Sequence, residues 1–252
     1  MRLRKLLSGV KGMNYDRSSQ TAAAATRCRF DTRVALARRA IVTCIAFAGL
    51  AGAPYCSASD LTIDVLDRQG HGVEQVVATL MPAAGAPSVA PRAAVMDQKD
   101  QAFVPRVLVV AVGASVEFPN NDSVSHQVYS FSAAKRFQLP LYKGEAHPPV
   151  TFDRPGLVVL GCNIHDSMVG YIYVTPAPYF GTTDAGGAIT LRDLPRGDYR
   201  VTLWSPYIAD DPASLTRDVH LDGSASTLER FQLAAALRAL PEPKPRRRDW
   251  DY

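Results

Sequence analysis

The chain has 252 residues, 47% of them hydrophobic, with 18 prolines and 17 glycines. That length admits one large domain or two small ones with ample core, and the abundance of turn formers favours an all-β chain over a helical one. Residues 1–59 hold ten Lys/Arg against two acids, which leaves 18 bases and 22 acids in residues 60–252, so the body of the protein excludes a nucleic-acid-binding surface.

The basic start has an ordered look. RVALARR, 33–39, precedes the apolar run AIVTCIAFAGLAGA, 40–53, and PYCSASD, 54–60, brings small residues before an acid. This is the n-, h- and c-region order of a secretory signal peptide. The run of 14 residues falls short of the ~20 needed to span a bilayer. Residues 1–59 therefore read as a leader, with cleavage expected after Ala58 or Ser59, a periplasmic or secreted product, and no membrane span in what remains. Cys56 lacks a lipobox before it. Residues 1–32 are unneeded for export.

LTIDVLD, 61–67, alternates apolar and polar residues and reads as a strand; VEQVVATLMP, 73–82, reads as a second. AAGAPSVAPRAAV, 83–95, is a Pro-rich linker. VLVVAV and SVEF, within 103–122, are two strands with Gly113 as a tight turn between them. HQVYSF, 126–131, is another. PVTFDRPGLVVLGC, 149–162, has a strand, a turn and a strand running up to Cys162. MVGYIYVTP, 168–176, looks partly buried on both faces, as in a sandwich. Beyond 177, AITL, YRVTLW, SLTRDVHL (214–221) and LERFQLA (228–234) are strand candidates. Residues 236–252 read as a disordered tail, whose KPRRR run is a solvated one.

Export changes the cysteine arithmetic. Cys28, Cys44 and Cys56 lie in the leader, so Cys162 remains alone. In an oxidising compartment it has no disulfide partner and is open to oxidation. One explanation is a thiol buried for packing. The other lies in GCNIHDSMVG, 161–170, where Cys162, His165 and Met168 recur every third residue. Three side chains from one loop cannot enclose an ion, and His126, after the turn NNDSVS (120–125), is the natural fourth donor. One thiolate, two imidazoles and a thioether form the donor set that suits copper in one-electron transfer. Zinc seldom uses Met, and haem c attachment needs a second Cys.

These residues resemble the cupredoxins, the blue-copper fold of plastocyanin, azurin and amicyanin, over 96–176. The longer run MDQKDQAFVPRVLVVAVGASVEFPNND…HQVYSF…GCNIHDSMVGYI is similar to plastocyanin-like proteins of methylamine utilisation. The resemblance implies a Greek-key sandwich, a single copper ion cycling between Cu(I) and Cu(II), ligands His126, Cys162, His165 and Met168, and redox partners such as a dehydrogenase, cytochrome c or oxidase. It implies amine oxidation as one setting. Two positions depart from the family: Gln127 replaces the usual Asn after the first His, and Leu160 replaces a common aromatic. Both bear on the shell supporting the ligands.

The flanks, LTIDVLDRQGHGVEQVVATL and TTDAGGAITLRDLPRGDYRVTLW, look like parts of a carboxypeptidase-regulatory-like (transthyretin-like) β-sandwich. The expected organisation is therefore 1–59 leader, 60–95 first strands of a second sandwich plus linker, 96–176 copper domain, 177–235 the rest of the second sandwich, and 236–252 tail. The copper domain reads as an insertion; alternatively, strands 61–82 extend the cupredoxin itself.

Three functions compete: an electron carrier, a copper-handling carrier or sensor, and an adhesion or carbohydrate-binding module carried by the second sandwich. An enzyme ranks last, since protein atoms fill all four copper positions. His71 and His147 are expected to be exposed, and His220 and Asp166 to be ordinary. Trp204, Tyr171, Tyr173 and Tyr207 read as core or rim aromatics.

Overall fold

A computed structural model describes residues 58–240, apart from 86, 88, 145, 146 and 225. The leader up to residue 57 and the tail from 241 lie outside the described residues. Among the latter there is no helix, and the architecture is all-β.

The chain opens with β1 (Ala58–Leu66), whose alternation buries Leu61, Ile63 and Val65 on one face, and continues to β2 (Val77–Pro82). The second strand starts later than the periodicity predicts. Val73 donates its N–H to Val65 O at 2.9 Å, and Gln75 adopts φ 56°, so the chain turns there before it extends.

Ten strands follow: β3 (Ala94–Val95), β4 (Asp97–Lys99), β5 (Ala102–Val104), β6 (Val107–Ala111), β7 (Ala114–Glu117), β8 (Tyr129–Phe131), β9 (Arg136–Gln138), β10 (Val150–Phe152), β11 (Gly156–Gly161) and β12 (Val169–Thr175). They pair only with one another, as a five-stranded sheet β6-β12-β11-β8-β9, a three-stranded sheet β10-β7-β3 and a small β4-β5 ribbon. Their inner faces share one core, including Phe103, Val116, Phe152, Leu160 and Ile172. These ten strands run from Ala94 to Thr175.

The chain then returns through β13 (Tyr179–Thr182), β14 (Ala188–Pro195), β15 (Gly197–Trp204), β16 (Thr216–Leu221) and β17 (Ser226–Gln232). These join the first two strands as sheets β14-β1-β17 and β13-β2-β15-β16, around a separate core that includes Leu61, Leu80, Leu194, Val201 and Phe231. Strands β1 and β2 thus pair with the late strands and with none of the central ten. β1 runs parallel to β17, in register from Asp60↔Ser226 to Leu66↔Gln232.

Other details differ from the sequence expectation. β6 and β7 flank Gly113 (φ 88°) but belong to different sheets: β6 pairs with β12, and β7 with β10 and β3. Of 126–131 only the second half joins a ladder; His126 makes an isolated bridge to Tyr142. The short strands β3, β4, β5, β9 and β13, two to four residues each, are too brief to show a period.

The two cores meet at β12. Gly170, Ile172 and Val174 point into the central core. On the opposite face Tyr173 stacks on Trp204 of β15 at 5.3 Å between centroids and 29° between planes, and Tyr171 lies 6.1 Å from the same indole. Both faces of β12 are therefore covered, as its sequence implied. All described residues belong to one compact unit.

Candidate metal centre

Three donors converge at one end of the central sandwich. His126 follows the turn 120–125, Cys162 follows β11, and His165 sits in the loop between β11 and β12. Cys162 Sγ lies 3.8 Å from His126 Nδ1 and 4.0 Å from His165 Nδ1. The donor atoms of all three residues lie within 4.8 Å of one another. A trigonal arrangement with metal–sulfur ~2.3 Å and metal–nitrogen ~2.0–2.1 Å needs a sulfur–nitrogen edge of about 3.8 Å. The observed spacing therefore suits a single first-row transition-metal ion.

Met168 closes the same loop. Its side chain is buried in the core that also holds Cys162, and its N–H donates to His165 O at 2.9 Å. That hydrogen bond folds the loop back on itself. Cys162 is 3% exposed, Met168 1% and His126 0%; His165 is only partly covered. The site is thus closed behind and open to the surface through one imidazole.

The loop is fixed at both ends by glycines that accept aromatic rings. At Gly161 a Cβ would lie 2.7 Å from Tyr129 Oη, and at Gly170 it would lie 2.8 Å from Phe103 Cδ2. Each ring sits directly on the glycine backbone, so larger residues are sterically barred there.

His126 is held by a residue that sequence reasoning missed. Its N–H and C=O exchange hydrogen bonds with Tyr142 at 3.0 Å each. Its Nε2 lies 2.8 Å from Asp122 Oδ2, with both side chains buried. A carboxylate only accepts, so Nε2 carries the proton and Nδ1 presents its lone pair to Cys162. Asp122 also accepts N–H groups from Gln101 at 2.7 Å and Ser123 at 2.5 Å. Burial pushes its carboxyl up, but the His126 ring and these two N–H donors outweigh burial and hold it at about 2. Asn120 fastens the same turn, accepting the Asp122 N–H at 3.0 Å and donating to Tyr142 O at 2.8 Å. The signal was present in the sequence as a carboxylate four residues before the histidine in NNDSVSH.

Gln127 fills the place where the resemblance implied an Asn. Its N–H donates to Cys162 Sγ at 3.5 Å, and its Oε1 accepts from Asn163 Nδ2. The longer amide thus still ties the two ligand-bearing segments together. At His165, burial and the neighbouring His126 lower the imidazole below its ordinary value, against an opposing pull from Asp122. A lowered value keeps the ring neutral and able to donate to a metal.

The other singled-out residues stay apart from this cluster. His71 and His220 are exposed and pair with Asp67 and Asp198 at 3.3 and 2.7 Å. Asp166 is an exposed loop residue. His147 differs from expectation: it is half-buried, its ring centroid lies 4.3 Å from that of buried Tyr142, and its Nε2 is buried with no partner among the described residues.

No protein-family model matches the chain, and no curated protein matches it. Among solved structures it is similar to a purple cupredoxin from Nitrosopumilus maritimus, at 23% identity over 32% of this chain and 99% of that one, with a TM-score of 0.30. It is similar to amicyanin in a reduced Cu(I) form, at 24% identity over 39% of this chain and 98% of that one, with a TM-score of 0.31. It is also similar to a Cu-containing nitrite reductase from Thermus scotoductus SA-01, at 30% identity over 38% of this chain and 25% of that one, with a TM-score of 0.32.

Proposed function

We propose that this chain is an exported copper protein that carries single electrons between redox partners. The observation that supports it most is the convergence of donor atoms of His126, Cys162 and His165 within 4.8 Å of one another, with Met168 buried in the same core as Cys162. One thiolate with two imidazoles and a neutral thioether is a donor set chosen for copper over zinc. Copper held by His126, Cys162, His165 and Met168 supplies a one-electron couple between Cu(I) and Cu(II).

The protein residues have separate tasks. Asp122 fixes the His126 tautomer and ring plane. The Gln127 N–H donates to Cys162 Sγ and ties the two ligand-bearing segments together. The Tyr129 and Phe103 rings hold both ends of the ligand loop, so its donors keep their places when charge changes. His165 is the one donor ring near the surface. It stands between Ile164, 52% exposed, and Asp166, and is the point where a partner approaches. With the other three side chains buried, metal exchange is slow, which separates an electron carrier from a copper-handling carrier or sensor. Protein donors fill the site, which favours a carrier over an enzyme.

The domain reading goes with this function: residues 96–176 form the copper module, within a second sandwich drawn from 60–82 and 177–235. Export rests on the leader sequence. A dehydrogenase as electron donor, a cytochrome c or oxidase as acceptor, and amine oxidation as the setting rest on the sequence resemblance.

The test is optical. Copper-loaded protein is expected to show an intense thiolate-to-Cu(II) charge-transfer band that Cys162→Ser removes. Stoichiometric copper binding without that band overturns the reading. A main activity that survives Cys162→Ser points instead to the second sandwich as an adhesion or carbohydrate-binding module.

A further inference from the structure

We propose that the seam between the two sandwiches is a binding site for an amphipathic organic carboxylate. A cavity of about 450 Å³ opens where β6 of the central sandwich faces β13 and β14 of the flanking one. That volume lies in the range of small-molecule pockets, roughly 300–1,000 Å³, which favour domain boundaries. Val109, Tyr179, Phe180 and Leu191 supply apolar and aromatic walls, and Arg92 and Arg192 supply the charge. No acidic side chain is among the lining residues.

Both arginines are exposed, and neither forms an ion pair among the described residues, although Arg200, Arg217 and Arg230 of the flanking sandwich all do. Two unpaired guanidiniums over an apolar floor, on a body whose net charge is otherwise negative, match a ligand with an apolar body and an anionic head. Guanidinium recognises a planar carboxylate through paired N–H donors. Aromatic walls take either an aryl or an acyl body. A ligand here touches both sandwiches and is expected to stabilise them as a unit. None of the four metal-site residues lines the cavity, so the inference stands independently of the copper reading.

Calorimetric titration of the full chain with naphthoate and decanoate tests it. At least one acid is expected to bind with Kd between micromolar and about 1 mM, and the tighter of the two identifies the body as aryl or acyl. The uncharged naphthamide should bind at least about tenfold more weakly than naphthoate if the body is aryl, and decanamide likewise against decanoate if it is acyl. Arg92→Ala/Arg192→Ala should weaken the acid by about tenfold or more, with an unchanged circular dichroism spectrum confirming its fold. No binding of either acid at about 5 mM overturns the proposal. So does an amide as tight as its acid, or a folded double variant with undiminished affinity.

Discussion

Asp122 governs how His126 is presented, and it does so through charge. Its carboxyl sits at about 2 in the folded chain, against roughly 3.9 for an unperturbed aspartate. The folded value is the lower one, so the ionised group stabilises the fold above about pH 4, and this contribution is lost as pH falls through about 2. Metal-free Asp122→Asn is therefore expected to be less stable than the parent by about 2 kcal/mol at neutral pH, with the gap closing between about pH 4 and 2. Denaturant melts across that range would show it; a gap that ignores pH contradicts the assignment. Gly170 makes a steric prediction. Gly170→Ala drives a methyl group to 2.8 Å from Phe103 Cδ2 and is expected to cost about 1–3 kcal/mol. A thermal melt indistinguishable from the parent's would count against that packing. The cluster of His126, Cys162 and His165 was legible, because Cys162 and His165 are close in sequence and His126 starts a recognisable segment. Their supports were not. Asp122 reaches His126 and Asn163 reaches Gln127 only because turns fold them there, and spacing alone does not show which way a turn aims a side chain.

At the scale of the strand, legibility followed length. β1, β11, β12 and β15 are six to nine residues long, enough for the alternation of a pleated surface to show. The short strands β3, β4, β5, β9 and β13 were invisible, and partner choice was hidden even where strands were plain, as with β6 and β7. One boundary also moves. β1 begins at Ala58, and Ser59 is 0% exposed and paired with Leu194, so cleavage after Ala58 or Ser59 would remove residues that the ladder uses. On the export proposal, the mature chain is expected to start upstream of Ala58. Intact-mass measurement of secreted material decides this, and an N-terminus at Ser59 or Asp60 contradicts it.

Across the whole molecule, the two cores are joined through the Tyr171–Trp204–Tyr173 contact. Trp204→Ala is expected to remove about 2 kcal/mol and to uncouple the cores, so that calorimetry resolves two transitions in place of one. A single transition at the parent's temperature would mean that the contact carries no coupling. The flanks were expected to belong to one sandwich because both look like parts of a single family, while the closing strand β17 gave no hint of its partner. That partner is the first strand described, β1, 166 residues earlier at Asp60↔Ser226. The outer sandwich therefore cannot close while the chain is still being made: its first strand waits for residues 226–232 to leave the ribosome. The central sandwich has no such wait, since every strand it uses is complete by Thr175.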